Sequence, residues 1–374
     1  MSPFIENTKP PNIFITKINI GKVRNLRNIE IPLIDNENVR KHLIITGKNG
    51  SGKTSLLEAA SEFFSGKTNS KFELMLQTNI PLPSLRSKEF IRLFVPAQRE
   101  IRFKTTKNIE KILSVGTGIK PISNSQFIKY LVYWNYQKMV GENGNRERYE
   151  KIVHIKEWFD NFLNVLREVY DCPTLTLEHD SENLNFIIHI PNYPPFSLNE
   201  MADGYSAFLK IVMELMMRMG NPAEPHYNNS GIVLIDEIET HLHVELQKRV
   251  MPFLVKMFPN IQFIVSTHSP FVITSLDNAV VFDLEKQQRM ENLSEYSYEG
   301  IIEYYYNSDK YSLKAKELFE KYQQLANRRN RSKQDNEKLA EIILQFRRIP
   351  YRVAPELVRS FADMEMKRKG EKND

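Results

Sequence analysis

The sequence predicts an α/β protein with a mainly parallel sheet, antiparallel strands near the N-terminus, an inserted helical lobe and C-terminal helices. Three observations predict this class. Two apolar runs, 231–235 and 261–266, have the length of buried strands, and helical spacing over 240–257 separates them. A third apolar run, 42–46, leads through a glycine-rich segment into a predicted helix over 53–64. Alternating strands and helices are typical of a parallel sheet covered by helices.

The remaining elements follow in order. Apolar and polar residues alternate over 12–46, which predicts two or three strands, and 90–95 predicts another strand that ends at Pro96. Between residue 64 and about residue 88 we expect irregular structure. Aromatic stripes at helical spacing predict an inserted lobe over about 105–170, followed by a hairpin over 175–190. After a strand over 279–282 we expect only helices, which are predicted near 311–328, 333–348 and 355–369.

Composition narrows the class of protein. The chain has 374 residues, of which 41% are hydrophobic and 26% are charged. This composition is typical of a globular protein rather than of a disordered or membrane protein. No signal-peptide pattern and no spanning apolar segment is present, so we expect a cytoplasmic protein without membrane contact. The single cysteine, Cys172, excludes an internal disulfide.

The net charge of +5 is unevenly placed, since residues 311–374 hold 16 basic and 10 acidic residues, a net +6. One basic cluster in this segment comprises Arg328, Arg329, Arg331 and Lys333. Such a segment could contact nucleic acid or an acidic partner, and a solvated helical face is the alternative.

Residues 47–54 fit the pattern of a phosphate-binding loop at every fixed position. A strand, a glycine-rich turn and a helix N-terminus would point several backbone N–H groups at one anion. Lys53 would reach the phosphates and Thr54 would hold Mg²⁺. The other candidate phosphate-binding residues are Gly47, Asn49, Gly50, Ser51 and Gly52. A plain glycine turn is the alternative.

Polar side chains follow the predicted buried strands. Asp236 and Glu237 come directly after one strand, where Asp236 suits Mg²⁺ and Glu237 suits a base that orients water. Surface acids at a strand end are the alternative. His268 follows the next strand and would contact the γ-phosphate or be a structural histidine, and Gln98 could help to hold Mg²⁺. Asp203, with Gly204 beside it, marks a helix start that is either a second phosphate site or a simple N-cap.

Together these motifs resemble the ATP-binding-cassette class of P-loop ATPases. The resemblance runs over about 13–282 and is strongest to the soluble branch that includes RecF, Rad50, the OLD-type ATPases and the ATPase subunits of Septu- and PARIS-type anti-phage systems. In that family 201–205 would be the signature motif, 239–243 the D-loop, His268 the switch histidine and Gln98 part of the Q-loop. Ala202 stands where the signature serine usually lies, and Val244 replaces a proline after the D-loop.

The resemblance implies slow, Mg²⁺-dependent ATP hydrolysis by a homodimer or higher homo-oligomer, in which the signature of one subunit completes the nucleotide site of another. It implies a separate effector protein, a nuclease or a toxin, as partner. The alternative is a RecF-like DNA-repair ATPase with nucleic acid as partner. A transporter subunit is disfavoured because a long insert separates Gln98 from the signature.

The resemblance also predicts four parts of the chain. Residues 1–104 would be the N-terminal part of the ATPase domain with the phosphate-binding loop, and 105–198 the inserted helical lobe and hairpin. Residues 199–285 would be the C-terminal part of that domain, and 286–374 a helical region.

Overall fold

The chain forms two compact units, Met1–Tyr298 and Glu299–Asp374, in a computed structural model. The residues that the structure describes are 12–35, 37–66, 72–81, 90–100, 102–110, 119–140, 146–219, 229–298, 300–301, 303, 313–328, 330–349 and 354–370. Arg329 of the predicted basic cluster lies outside them.

The first unit contains twelve strands among the described residues. They are β1 (Ile15–Val23), β2 (Leu26–Pro32), β3 (His42–Thr46), β4 (Glu73–Thr78), β5 (Ile91–Val95), β6 (Thr176–Asp180), β7 (Asn185–His189), β8 (Phe196–Ser197), β9 (Gly231–Ile235), β10 (Ile261–Ser266), β11 (Ala279–Asp283) and β12 (Gln288–Met290).

Six of these strands form the main sheet, in the order β12-β11-β3-β10-β9-β5. All neighbours pair in parallel except β12, which pairs antiparallel with β11. Strands β3, β9, β10 and β11 are buried at every residue, as expected for central strands covered on both faces. The parallel arrangement brings the C-terminal ends of β3, β9 and β10 to the same edge.

The N-terminal strands form a separate antiparallel sheet in the order β2-β1-β4. One hydrophobic cluster joins this sheet to the first helix and to one face of the main sheet. A buried amide connects the two sheets as well, because Gln262 Oε1 accepts from Ile15 N at 2.8 Å and its Nε2 donates to Lys41 O at 2.8 Å. The strand that leads into residues 47–54 is therefore supported on several sides.

The α-helices of the first unit, within the described residues, are α1 (Lys53–Phe64), α2 (Asn124–Val140), α3 (Arg146–Val169), α4 (Asp203–Arg218), α5 (Val244–Met257) and α6 (Pro270–Ile273). Helices α2 and α3 form the inserted lobe and pack through aromatic side chains: the ring of Trp158 lies 5.6 Å from Tyr130 and 5.8 Å from Phe162. Strands β6, β7 and β8 form a small antiparallel sheet after this lobe. Among the described helices, none combines the length and apolarity needed to cross a membrane.

The second unit contains α7 (Leu313–Ala326), α8 (Lys333–Arg347) and α9 (Pro355–Gly370). These helices share a core in which Tyr322 and Phe346 are almost fully buried, and Tyr322 donates to Glu365 at 2.7 Å. The basic cluster has structural roles here: Arg331 donates to two carbonyl oxygens at the end of α7, and Arg328 lies 3.3 Å from Asp335.

The predicted fold class is confirmed, and three local predictions are wrong. Strand β4 lies in the segment that we expected to be irregular, and β12 follows residue 282, where we expected only helices. Helix α5 begins at Val244 rather than at residue 240, since the backbone before it forms turns closed by hydrogen bonds from Thr240 N and Leu242 N. The four-part division of the chain stays a prediction.

Candidate functional site

The phosphate-binding loop has the backbone conformation that its glycines predict. Gly47, Gly50 and Gly52 have φ values of 133°, 82° and 104°, in the region that favours glycine. Gly52 is the N-cap of α1, and a Cβ there would lie 3.1 Å from Leu26 Cγ. The start of α1 has no side-chain cap and no acidic residue in its first turn. Its first N–H groups are therefore available to an anion.

Lys53, the first residue of α1, points back into this loop. Its ammonium group donates to Gly47 O at 2.8 Å and to Lys48 O at 3.1 Å, and the residue is only 6% exposed. Burial lowers the pKa of Lys53, and nearby carboxylates oppose that shift. Those carboxylates are Glu237, Asp236, Glu239 and Asp283. A buried cation thus lies within electrostatic range of the acids at the end of β9.

Other residues of the loop differ in environment. Lys48 is exposed and pairs with Glu285 at 2.7 Å, so its charge is already neutralised at the loop surface. Thr54 is exposed. Ser51 Oγ is buried and has no hydrogen-bond partner in the part of the chain that the structure describes. An orphaned hydroxyl beside free helix N–H groups fits a site that is completed by a ligand.

The two acids predicted after β9 are held by the neighbouring strand. Asp236 is 1% exposed and accepts from Ser266 Oγ, and the same hydroxyl accepts from Glu237 N at 2.8 Å. Glu237 has a φ of 46°, which is unfavourable for a residue with a Cβ. Strain of this kind is concentrated at functional sites, where the surrounding structure holds it. Ser266 was not among the predicted residues.

His268 lies at the end of the adjacent strand β10. Its backbone N–H donates to Glu239 Oε1 at 2.6 Å. Burial and the positive charge of Lys53 lower the pKa of His268, although Glu239 and the two acids after β9 act in the opposite direction. The imidazole is therefore neutral at pH 7, and a neutral imidazole can donate one hydrogen bond.

Gln98 lies in a cleft of about 570 Å³ that it shares with Glu237 and with the turn after it. The lining residues are Ala97, Gln98, Arg99, Glu100, Glu237, Thr240 and His241. The structure thus brings Gln98 and Glu237 to the same cleft, as their predicted roles require. Arg99, which was not among the predicted residues, lines the cleft as well.

The predicted signature segment packs against the predicted D-loop. A Cβ on Gly204 would lie 3.0 Å from His241 O, so a larger residue here would force the backbone at His241 to shift by a few tenths of an ångström. Helix α4 begins at Asp203, and Ala202 is an N-cap without a side-chain hydrogen bond. Asp203 is exposed, 3.5 Å from Arg102. Asp203 therefore does not cap the helix and is accessible to a facing molecule.

The site residues thus fall into two groups. Lys53, Asp236, Glu237 and His268 lie within electrostatic range of one another beside the phosphate-binding loop, with Gln98 in the cleft that Glu237 lines. Asp203 and Gly204 lie at the start of α4, beside the D-loop. Among the described residues, no group of three or more His, Cys, Asp or Glu side chains could hold a metal ion by itself.

Comparison with known proteins identifies a family and several relatives. A family model described as "AAA domain, putative AbiEii toxin, Type IV TA system" matches residues 86–274, just over half of the chain. The Septu protein PtuA of Bacillus mycoides is 24% identical over 297 residues, which cover 74% of this chain and 41% of PtuA. The probable ATPase of retron Ec83 from Escherichia coli is 30% identical over 178 residues, which cover 41% of this chain and 32% of the retron protein.

The chain therefore spans less than half the length of these curated relatives. Among solved structures, it is similar to the Smc head bound to the C-winged helix domain of ScpA, with a TM-score of 0.41 and 12% identity. That similarity covers 72% of this chain and 93% of the Smc chain.

Proposed function

The chain belongs to this AAA-domain family of P-loop ATPases, and from that premise we propose that it binds ATP with Mg²⁺ and hydrolyses it slowly. We propose further that ATP-dependent dimerisation controls a separate nuclease or toxin in an anti-phage defence complex. The observation that carries the proposal is the buried ammonium of Lys53, held inside the glycine-rich loop and opposite the acids after β9.

The residues present fit a magnesium–nucleotide complex. The loop residues Gly47, Asn49, Gly50, Ser51 and Gly52 would hold phosphate oxygens. Lys53 would exchange its two backbone carbonyls for phosphate oxygens, and the orphaned Ser51 hydroxyl would gain a partner. Thr54, Gln98 and Asp236 would hold Mg²⁺, which would neutralise charge on the phosphates.

Glu237 is the proposed base, because it lines the same cleft as Gln98. Thr240 Oγ1 donates to Glu237 Oε2 at 3.3 Å and would help to fix the orientation of that carboxylate. Glu237 would orient a water molecule and accept its proton. His268, neutral for the reasons given above, would donate to the terminal phosphate.

The proposed assembly depends on the second group of site residues, at the start of α4. Exposed Asp203 and tightly packed Gly204 would contact nucleotide bound to a facing subunit, so each site would be completed only in a homodimer or higher homo-oligomer. Ala202 supplies no hydroxyl at the position of the usual signature serine. Fewer hydrogen bonds would then hold the two subunits together around the nucleotide. We therefore expect slow turnover.

The defence role rests on the relatives, since the matched proteins are a Septu protein and a retron ATPase. We propose a cytoplasmic complex in which a separate effector binds the assembled ATPase. The alternative, a RecF-like DNA-repair ATPase that binds nucleic acid, predicts different partners. Mass spectrometry of proteins that co-purify from the native host separates the two: a nuclease or toxin supports defence, whereas replication or recombination factors support repair.

The nucleotide site is tested by comparing two lysines of the same loop. Lys53→Ala should weaken ATP binding by about ten- to 150-fold, because a charge-assisted hydrogen bond contributes about 1.5–3 kcal/mol. Lys48→Ala makes the same change of charge at an exposed position that Glu285 already neutralises, and should change the Kd by less than about twofold. Calorimetric titration with ATP and Mg²⁺ measures both. Equal affinities of the two variants would reject the site.

A further inference from the structure

Arg99 holds the turn that carries Glu237. Its guanidinium donates to Asp236 O at 3.1 Å and to Pro96 O at 3.3 Å. It also lies 3.4 Å from three more carbonyl oxygens, those of Glu237, Ile238 and Thr240. Four of the five oxygens belong to the segment 236–240, so one side chain gathers nearly every carbonyl of this turn.

The guanidinium is mostly surrounded by protein. Burial lowers the pKa of Arg99, whereas Glu239, Asp236 and Glu237 raise it, and an arginine stays charged at neutral pH in either case. Within the described residues, no carboxylate oxygen forms an ion pair with it, and its Nε has no hydrogen-bond partner. Its direct hydrogen-bond partners are therefore backbone carbonyl oxygens, whereas the three carboxylates stabilise its charge at longer range.

The turn that Arg99 holds is strained. Glu237 and His241 have φ values of 46° and 70°, in the left-handed region. Local hydrogen bonds close the turn, from Thr240 N to Glu237 O at 2.9 Å and from Leu242 N to Glu239 O at 2.8 Å. Such a backbone persists only where its surroundings over-determine it. Arg99, which follows β5, and the hydroxyl of Ser266, the last residue of β10, both hold this backbone in place.

The segment that carries Arg99 is itself held by other contacts. The next residue, Glu100, accepts a hydrogen bond through its carbonyl oxygen from Lys210 of α4, which is buried. The preceding residue is Gln98, which lines the same cleft as Glu237. Gln98 and Glu237, which are distant in the sequence, are therefore both connected to the half-buried Arg99.

We propose that Arg99 is a positioning residue for ATP hydrolysis, which sets the orientation of Glu237 relative to Gln98 by gathering the carbonyls of 236–240. This inference rests on the proposed function for its effect on turnover. Its structural part, the ordering of the turn, can be measured without nucleotide. A lysine could replace the charge but not the planar fork of donors.

The test compares Arg99→Gln and Arg99→Lys with Arg218→Gln. Arg218 is a matched control, since it is also buried and donates to a backbone carbonyl, Lys120 O at 2.6 Å, but pairs with Glu214 away from the turn. Three quantities are measured for each variant: amide hydrogen exchange of the peptide 236–242 without nucleotide, the Kd for ATP, and kcat.

Arg99→Gln should raise exchange in 236–242 by about tenfold or more and lower kcat by about tenfold or more, while the Kd for ATP changes by less than about twofold. Arg99→Lys should give intermediate exchange and kcat. Arg218→Gln should leave exchange in 236–242 at the wild-type rate. If Arg99→Gln does not fold, Arg99→Lys alone must show the raised exchange.

The inference would be overturned if amide exchange in 236–242 stayed at the wild-type rate in the Arg99 variants. An equal rise of that exchange rate in Arg218→Gln would also overturn it. A loss of ATP affinity that accounts for the whole loss of activity would overturn it as well. If the wild-type protein bound ATP but did not hydrolyse it, the proposed function would fail together with the effect on turnover, whereas raised exchange in Arg99→Gln would still show that Arg99 orders the turn 236–240.

Discussion

His42, the first residue of β3, should make the first unit less stable in mild acid. The residue is 0% exposed, and its Nδ1 accepts from Phe263 N at 3.1 Å. Its Nε2 is buried and has no hydrogen-bond partner among the residues that the structure describes. Burial, with a smaller contribution from the charge of Arg40, lowers the pKa of His42 from 6.5 to about 3. The folded ring therefore stays neutral across the pH range in which the unfolded chain takes up a proton.

The direction in which the free energy of unfolding changes with pH follows from the linkage between folding and protonation. The pKa of His42 is lower in the folded state, so the unfolded state binds more protons between pH 6.5 and about pH 3. The free energy of unfolding must then fall as the pH falls through this window. The loss approaches about 1.4 kcal/mol per pH unit below the ordinary pKa, which integrates to about 2 kcal/mol between pH 7 and pH 5.

Urea unfolding at pH 7, 6 and 5 measures this loss. Both tryptophans, Trp134 and Trp158, lie in the first unit, so their fluorescence reports the unit that contains His42. In His42→Asn the amide oxygen can replace Nδ1 as acceptor without titrating, so the variant should lose about 2 kcal/mol less than the wild type between pH 7 and pH 5. His154→Asn, on an exposed position of α3, is the control. Equal pH dependence of His42→Asn and the wild type would refute the reasoning.

Four further predictions concern the site, the assembly and the second unit. Glu237→Gln should bind ATP with Mg²⁺ but hydrolyse it at least about a hundredfold more slowly, and should accumulate a larger assembly by light scattering; an unchanged mass would contradict the dimer. Gly204→Ala should keep the Kd for ATP but lose that assembly, because its Cβ meets His241 O. Phe346→Ala should destabilise the second unit by about 3–5 kcal/mol, seen as faster proteolysis, without changing ATP affinity. Arg328→Glu should abolish co-purification of a protein partner and leave DNA affinity unchanged; a smaller salt dependence of DNA binding would instead indicate phosphate contact.

The elements that were predicted correctly are those whose signal is local. Strands β9 and β10 have the predicted bounds because a central parallel strand is apolar at every position. Strand β4 was missed because only one of its residues is fully buried, and its leucines and methionine are helix formers in isolation. Its strand conformation comes from pairing with β1, which is a tertiary contact.

The same distinction applies to the site. A fixed spacing of residues identifies the loop with Lys53, and a strand end identifies Asp236 and Glu237. Arg99 carries no such pattern, since its role depends on carbonyl groups 137 to 141 residues later in the chain. Ser266 likewise acts on residues 30 and 29 positions earlier, so only the parallel pairing of β9 and β10 reveals it.

The strand order of the main sheet also constrains how the protein folds. Strand β3, which carries the phosphate-binding loop, pairs only with β10 and β11 among the described strands, and both follow it by more than 200 residues. During synthesis β3 must therefore wait for most of the first unit before its neighbours emerge. Contacts so distant in sequence slow folding and leave an apolar strand unpaired for longer. Nucleotide binding should consequently appear late on the folding pathway, after β10 and β11 have joined the sheet.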